Sequence, residues 1–118
     1  MPRKNTKVKA PWGEYKILSE GFGYRVREIR ISTGHQTSYK YHMKSNKTWV
    51  IISGFGHVTT EGTLHDASPG KIFFIPRGAK HRAKCKYNSK EPFVYVEVQT
   101  GDQLDEDDLV RLDDDYGR

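Results

Sequence analysis

Residues 70–81 read Gly-Lys-Ile-Phe-Phe-Ile-Pro-Arg-Gly-Ala-Lys-His, and this one stretch constrains the fold more than any other part of the chain. Gly70 is free to take the positive φ of a tight turn, and residues 72–75 form a short apolar strand. Pro76 then stops the ladder, because it has no N–H to donate. Gly78 follows in the turn, and His81 lies just past it. In a small β-barrel that position can point inward, where a histidine serves as a metal ligand, an acid/base or a hydrogen-bonded core residue.

The rest of the chain repeats this theme. Short segments rich in Val, Ile, Tyr, Phe and Thr are broken by Gly, Ser, Asn and Pro every eight to twelve residues, the pattern of an all-β sandwich or barrel. It predicts strands at 15–18, 24–31, 36–42, 48–53, 56–60, 71–75, 81–86 and 93–99. Turn signals lie at Ser53-Gly54-Phe55-Gly56, Glu61-Gly62, Ser68-Pro69-Gly70 and Tyr87-Asn88-Ser89. A short helix is expected at 106–111. With 118 residues the chain makes one domain, read as a basic, flexible stretch over 1–10 followed by a single domain over 11–118.

Composition removes several classes of function. Cys85 is the single cysteine, so an intramolecular disulfide and a Cys₄ or Cys₂His₂ zinc site are excluded, and a reducing compartment fits. There is no apolar run of about 18 residues and no apolar leader after Met1, which points to a cytoplasmic protein without a membrane span. The formal charge of +5 divides unevenly, with eight acids against two arginines over 102–118 and +11 on the remainder. A body so charged attracts anions, either a ligand or the protein's own acidic end.

Several motifs together carry a resemblance. Pro11-Trp12-Gly13-x-Tyr15, Gly23-Tyr24 followed by Arg25 and Arg27, Gly34, Trp49 to Gly54, residues 70–81, Glu97-Val98-Gln99-x-Gly101, and 106–111 through Asp115-Tyr116-Gly117-Arg118 resemble the C-terminal cupin domain of type II mannose-6-phosphate isomerase/mannose-1-phosphate guanylyltransferase. The likeness covers about residues 11–118. It implies a cupin jelly-roll barrel, a double-stranded β-helix, with a short C-terminal helix. With only a short basic stretch before Pro11, no guanylyltransferase domain is expected. A homodimer is expected, since cupin sheets expose edges that association covers.

The resemblance also implies a metal held by a Gln, a His and a Glu of the first motif and by the second-motif His. The matching stretch here is Lys40-Tyr41-His42-Met43-Lys44-Ser45-Asn46-Lys47-Thr48-Trp49. His42 and His81 remain, but Lys40 stands in place of Gln and Lys47 in place of Glu. A protonated lysine has three donors and no acceptor, so it repels a divalent ion. No metal and no other cofactor is therefore expected. Lys40 and His42 share one face of a strand, and Lys47 heads the next. If that face lines the barrel, the two lysines and two histidines converge, with Glu97 or a bound anion as counter-charge.

The expected partner is an anionic small molecule: a sugar phosphate, a nucleotide or a nucleotide-sugar. Lys40, Lys47, Arg25, Arg27, Glu97 and Gln99 are the expected ligand-binding residues, and His42 and His81 the proton carriers if the pocket isomerises a sugar. Two other readings stay open. One is a true metal-dependent mannose-6-phosphate isomerase; the other is a nucleic-acid or protein-interaction domain, suggested by the aromatic and basic residues interleaved over 39–44. Lys40 and Lys47 could also snorkel to the barrel mouth over a vestigial pocket.

Overall fold

The computed structural model describes residues 4–104 and 108–117. It contains strands β1 (Val8–Ala10), β2 (Gly13–Gly21), β3 (Tyr24–Ile31), β4 (Tyr39–His42), β5 (Ser45–Ser53), β6 (Gly56–Thr60), β7 (Thr63–Ala67), β8 (Ile72–Ile75), β9 (His81–Cys85), β10 (Phe93–Gly101) and β11 (Leu109–Asp113). They form two antiparallel sheets, ordered β1-β2-β3-β10-β5-β8 and β11-β4-β9-β6-β7. The architecture is a jelly roll.

Three strands depart from the sequence expectation. The basic N-terminal stretch, read as flexible through residue 10, pairs Val8, Lys9 and Ala10 with Tyr15, Glu14 and Gly13, because Val8 and Ala10 supply a short alternating edge. The Glu61-Gly62 turn, with positive φ at both residues, returns the chain along β6 as β7. Among the described residues the expected C-terminal helix is not found. Residues 106 and 107 lie outside the described residues, and Leu109–Asp113 is a strand paired with β4. The backbone N–H groups of Met43 and Lys44 donate to the Asp108 carboxylate, each at 3.0 Å, which ties the start of β11 to the β4–β5 turn.

The core lies between the sheets and includes Ile29, Ile31, Trp49, Ile51, Val58, Ile75, Cys85, Phe93 and Tyr95. The inward-facing residues of β10 grade along the strand from Phe93 and Tyr95 to Glu97 and Gln99, all four buried. That gradient decides where the site can be. The Phe93 end sits in the apolar core, while the Glu97 end carries charge.

Candidate functional site

The Pro76–Ala79 turn aims both histidines. Gly78, at φ 78°, donates its N–H to the His42 carbonyl at 2.6 Å, and the Ala79 N–H returns to Pro76 at 3.1 Å. The turn thereby joins the end of β4 to the start of β9, and Lys40 lies directly opposite His81. The two imidazole rings come within 6.2 Å, centroid to centroid, and the edge of Trp49 meets His81 at 5.7 Å.

Across the barrel, register alone assembles a charged row. Arg27 on β3, Glu97 on β10 and Trp49 on β5 are direct cross-strand neighbours, so their side chains leave the same face. The Glu97 carboxylate is 1% exposed. Arg27 reaches it at 2.7 and 2.9 Å, the Trp49 indole N–H at 2.9 Å and the Lys47 ammonium at 3.3 Å. Burial opposes ionisation of Glu97, but the charges of Arg27 and Lys47 and the hydrogen bonds from Trp49 and Arg27 outweigh it. The carboxyl is held well below the usual carboxylate range. Burial, reinforced by the Glu97 charge, raises the neighbouring Tyr95 phenol far above its ordinary value.

His81 goes the other way. Burial, then the charges of Lys47 and Lys40, push it well below the ordinary histidine value, against a hydrogen bond from the ring to the backbone. The ring is neutral at neutral pH. Its Nδ1–H donates to the Ala79 carbonyl at 2.9 Å, which leaves Nε2 as a lone-pair acceptor. Buried Nε2 has no hydrogen-bond partner among the described residues, and neither has the buried Ser38 hydroxyl.

Between these walls is a cavity of about 240 Å³. Lys40, His42, Lys47, Arg27 and Glu97 all line it, so five of the residues expected at the site converge there. His81 lies behind them and is not part of the lining. Gln99 gives its amide to Ser45 at 2.9 Å, and Arg25 is taken up by Glu20 and the Leu104 carbonyl, so both sit one row away. Sequence reasoning missed Tyr15, Tyr95, Lys9 and Arg111 as lining residues. Arg111 was hidden by the helix expectation; as part of β11 it stands directly opposite Lys40.

The metal-ligand positions implied by the resemblance fall on Lys40, His42, Lys47 and His81, and this set does not fit a divalent ion. Two imidazoles are available, while an ammonium occupies the carboxylate position and is itself bonded to Glu97. No group of three or more His, Cys, Asp or Glu that could hold a metal occurs among the described residues.

The barrel and its site define a cupin. KdgF from Halomonas sp. superposes with a TM-score of 0.76 at 16% identity over 84% of this chain and 88% of that one. An RmlC-like cupin from Shewanella frigidimarina gives 0.71 at 16% identity over 83% and 85%. Within that class, the chain belongs to the mannose-6-phosphate isomerase C-terminal family, whose description matches residues 2–114. Mannose-1-phosphate guanylyltransferase of Escherichia coli is 35% identical over 98% of this chain, and xanthan biosynthesis protein XanB of Xanthomonas campestris is 35% identical over 95%. The chain spans 24% of the length of each of those two relatives.

Proposed function

We propose that the barrel is a metal-free anion pocket that binds, and in an enzymatic version isomerises, a phosphorylated sugar. The observation that carries this reading is the charge of the cavity wall. Arg27, Lys40, Lys47 and Arg111 line it, and Glu97 is the one acid among the described lining residues, while Lys9 at the rim is paired with Glu14. Lys40 and Arg111 are directly opposed on neighbouring strands, an arrangement that costs stability unless negative charge comes between them. Each ammonium or guanidinium donating to a phosphate contributes about 1.5–3 kcal/mol in a partly desolvated site.

Size narrows the ligand. The cavity volume of about 240 Å³ falls below the usual range of about 300–1,000 Å³ for ligand pockets, which favours a sugar monophosphate over a nucleotide or nucleotide-sugar. The names of the relatives point to mannose phosphates. In the isomerising version, a sugar carbonyl and its neighbouring C–H would lie against His42, with neutral His81 behind it able to accept a proton at Nε2. The single buried thiol and the absence, among the described residues, of a helix long and apolar enough to cross a membrane support a cytoplasmic setting.

Thermal denaturation with a panel of sugar phosphates, nucleotides and nucleotide-sugars tests the reading. A ligand that binds only the folded state raises the melting temperature by mass action. The expected result is an upward shift with a hexose phosphate, lost when Lys40→Gln and Lys47→Glu are combined. No shift across the panel, or a shift that survives in the double variant, would leave only a vestigial barrel.

A further inference from the structure

The buried hydroxyls divide into two sets. Thr37, Ser38, Ser45, Ser89 and Tyr95 all lie inside the protein. The Thr37 hydroxyl accepts from the Ala83 N–H at 3.1 Å, Ser45 accepts from the Gln99 amide at 2.9 Å, and Ser89 donates to the Glu91 carbonyl at 2.7 Å. Ser38, 1% exposed, has no partner for its hydroxyl among the described residues. Tyr95, 2% exposed, makes ring contacts with Trp49 and Phe93 at 4.5 and 5.7 Å, while its phenol makes no hydrogen bond among the described residues. Both residues with an unmet hydroxyl line the cavity. A buried serine or tyrosine oxygen normally finds a partner, so each is kept where something outside the chain supplies it.

Neighbouring residues hold both in place. The Thr37 N–H donates to the Ala83 carbonyl at 2.9 Å, and the Thr37 carbonyl accepts from Arg82 Nε at 3.1 Å. The chain entering β4 is thereby fixed, and Ser38 shares the inward face of Lys40. On the facing sheet, Tyr95 stands opposite Ile29 on β3, Ile29 opposite Tyr15 on β2, and Tyr15 opposite Val8 on β1. These four form an uncharged row along the cavity, and the charged row of Glu97 and Arg27 is the next one. On each wall a neutral hydroxyl thus lies one row from a charged group, Tyr95 from Glu97 and Ser38 from Lys40.

From this we propose that Ser38 and Tyr95 read the hydroxyls of a sugar ring and set the pocket's preference for a phosphorylated sugar over other phosphates, an inference that rests on the anion-pocket reading. A phosphate group needs only the cations. A sugar also offers a C–H face, which suits the apolar surface of Trp12, Tyr15 and Ile29, and edge hydroxyls that both donate and accept. Ser38 answers in either direction, since its hydroxyl has one donor and two lone pairs. Tyr95 answers as a donor, because burial and the Glu97 charge keep its phenol protonated. Neither hydroxyl carries charge, so the two select by geometry among anions that the cations attract alike.

Calorimetric titration of inorganic phosphate and of mannose 6-phosphate into the native chain, Ser38→Ala and Tyr95→Phe tests this. The native chain is expected to bind mannose 6-phosphate more tightly than phosphate, and each variant to lose about tenfold for mannose 6-phosphate with its phosphate affinity unchanged. Without ligand, both variants should melt at or above the native temperature, because the deleted hydroxyls have no partner to lose. A lower melting temperature would assign them a structural role and overturn the proposal. If phosphate binds the native chain as tightly as mannose 6-phosphate does, the anion pocket stands and the proposal is overturned. It also falls if the variants keep the native preference, or if they lose both ligands equally, which would give the hydroxyls to the phosphate. A native chain that binds neither ligand would sink the anion pocket and the proposal together.

Discussion

The two inner walls of the barrel treat their buried polar groups in opposite ways. On the β3-β10-β5 wall, Glu97 gathers Arg27, Lys47 and Trp49, and each contact lies between 2.7 and 3.3 Å. On the β4-β9 wall, buried His81 Nε2 and Ser38 Oγ have no hydrogen-bond partner among the described residues. A buried polar atom left unmet costs about 1–3 kcal/mol, so a fold keeps it where something else supplies the partner. The cluster on the first wall is therefore internally finished, although its Arg27 and Lys47 also line the cavity and keep their charge turned to it. The second is where a ligand has work to do.

The sharpest way to break this contrast is to remove the anchor of the finished wall. Glu97→Gln leaves Arg27 and Lys47 buried without their counter-charge and should destabilise the protein by about 3–5 kcal/mol in denaturant unfolding. A loss below about 1 kcal/mol would show that the cluster is solvated and the contrast false.

Titration separates the walls by pH window. His81 has a folded-state value below its unfolded value of about 6.5, so the unfolded chain binds the extra proton in that window. Its stabilisation is present above about pH 6.5 and is lost as pH falls, with a limiting slope of about 1.4 kcal/mol per pH unit. Glu97 is also held below its unfolded value of about 4.5, so its contribution is lost on acidification too, but progressively from about pH 4.5 downward. Chemical denaturation from pH 7 to 5 should thus report the histidine wall alone, and His81→Asn should flatten the profile. An unchanged slope in that variant would remove His81 from the account.

Smaller effects sharpen the comparison further. Trp49→Phe keeps the ring packed on Tyr95 at 4.5 Å but deletes the indole donor to Glu97, and should cost about 1.5–3 kcal/mol in the same unfolding measurement. At the cavity rim, Lys9 and Glu14 pair at 2.8 Å, but the Lys9 side chain is 80% exposed. Lys9→Ala should change stability by no more than about 0.5 kcal/mol, as exposed pairs do.

The fold was legible because its signals are local. Gly70, the apolar run at 72–75, Pro76 and Gly78 specify a turn, a strand and a second turn without help from elsewhere. β7 was not, since Thr63-Leu64-His65-Asp66-Ala67 has a weak apolar alternation and exists as a strand because the Glu61-Gly62 turn lays it along β6. β11 begins among acids that favour a helix start, and its pairing with β4 overrode that preference. The site followed the same division. Lys40, Lys47, His42, Arg27 and Glu97 could be placed by strand parity and family motif. Arg111 and Lys9 reach the cavity only through strands that the sequence pattern did not reveal, while Arg25 and Gln99 share strands with site residues yet fall one row beyond it.

The most direct test of the central claim is a calorimetric titration of mannose 6-phosphate into protein treated with a strong chelator, run beside the same protein supplied with zinc. Lysines standing in the metal's place predict saturable binding of equal affinity in both samples, and its loss in the combined Lys40→Gln, Lys47→Glu variant. Binding that appears only with zinc, or that persists unchanged in the double variant, would contradict the account.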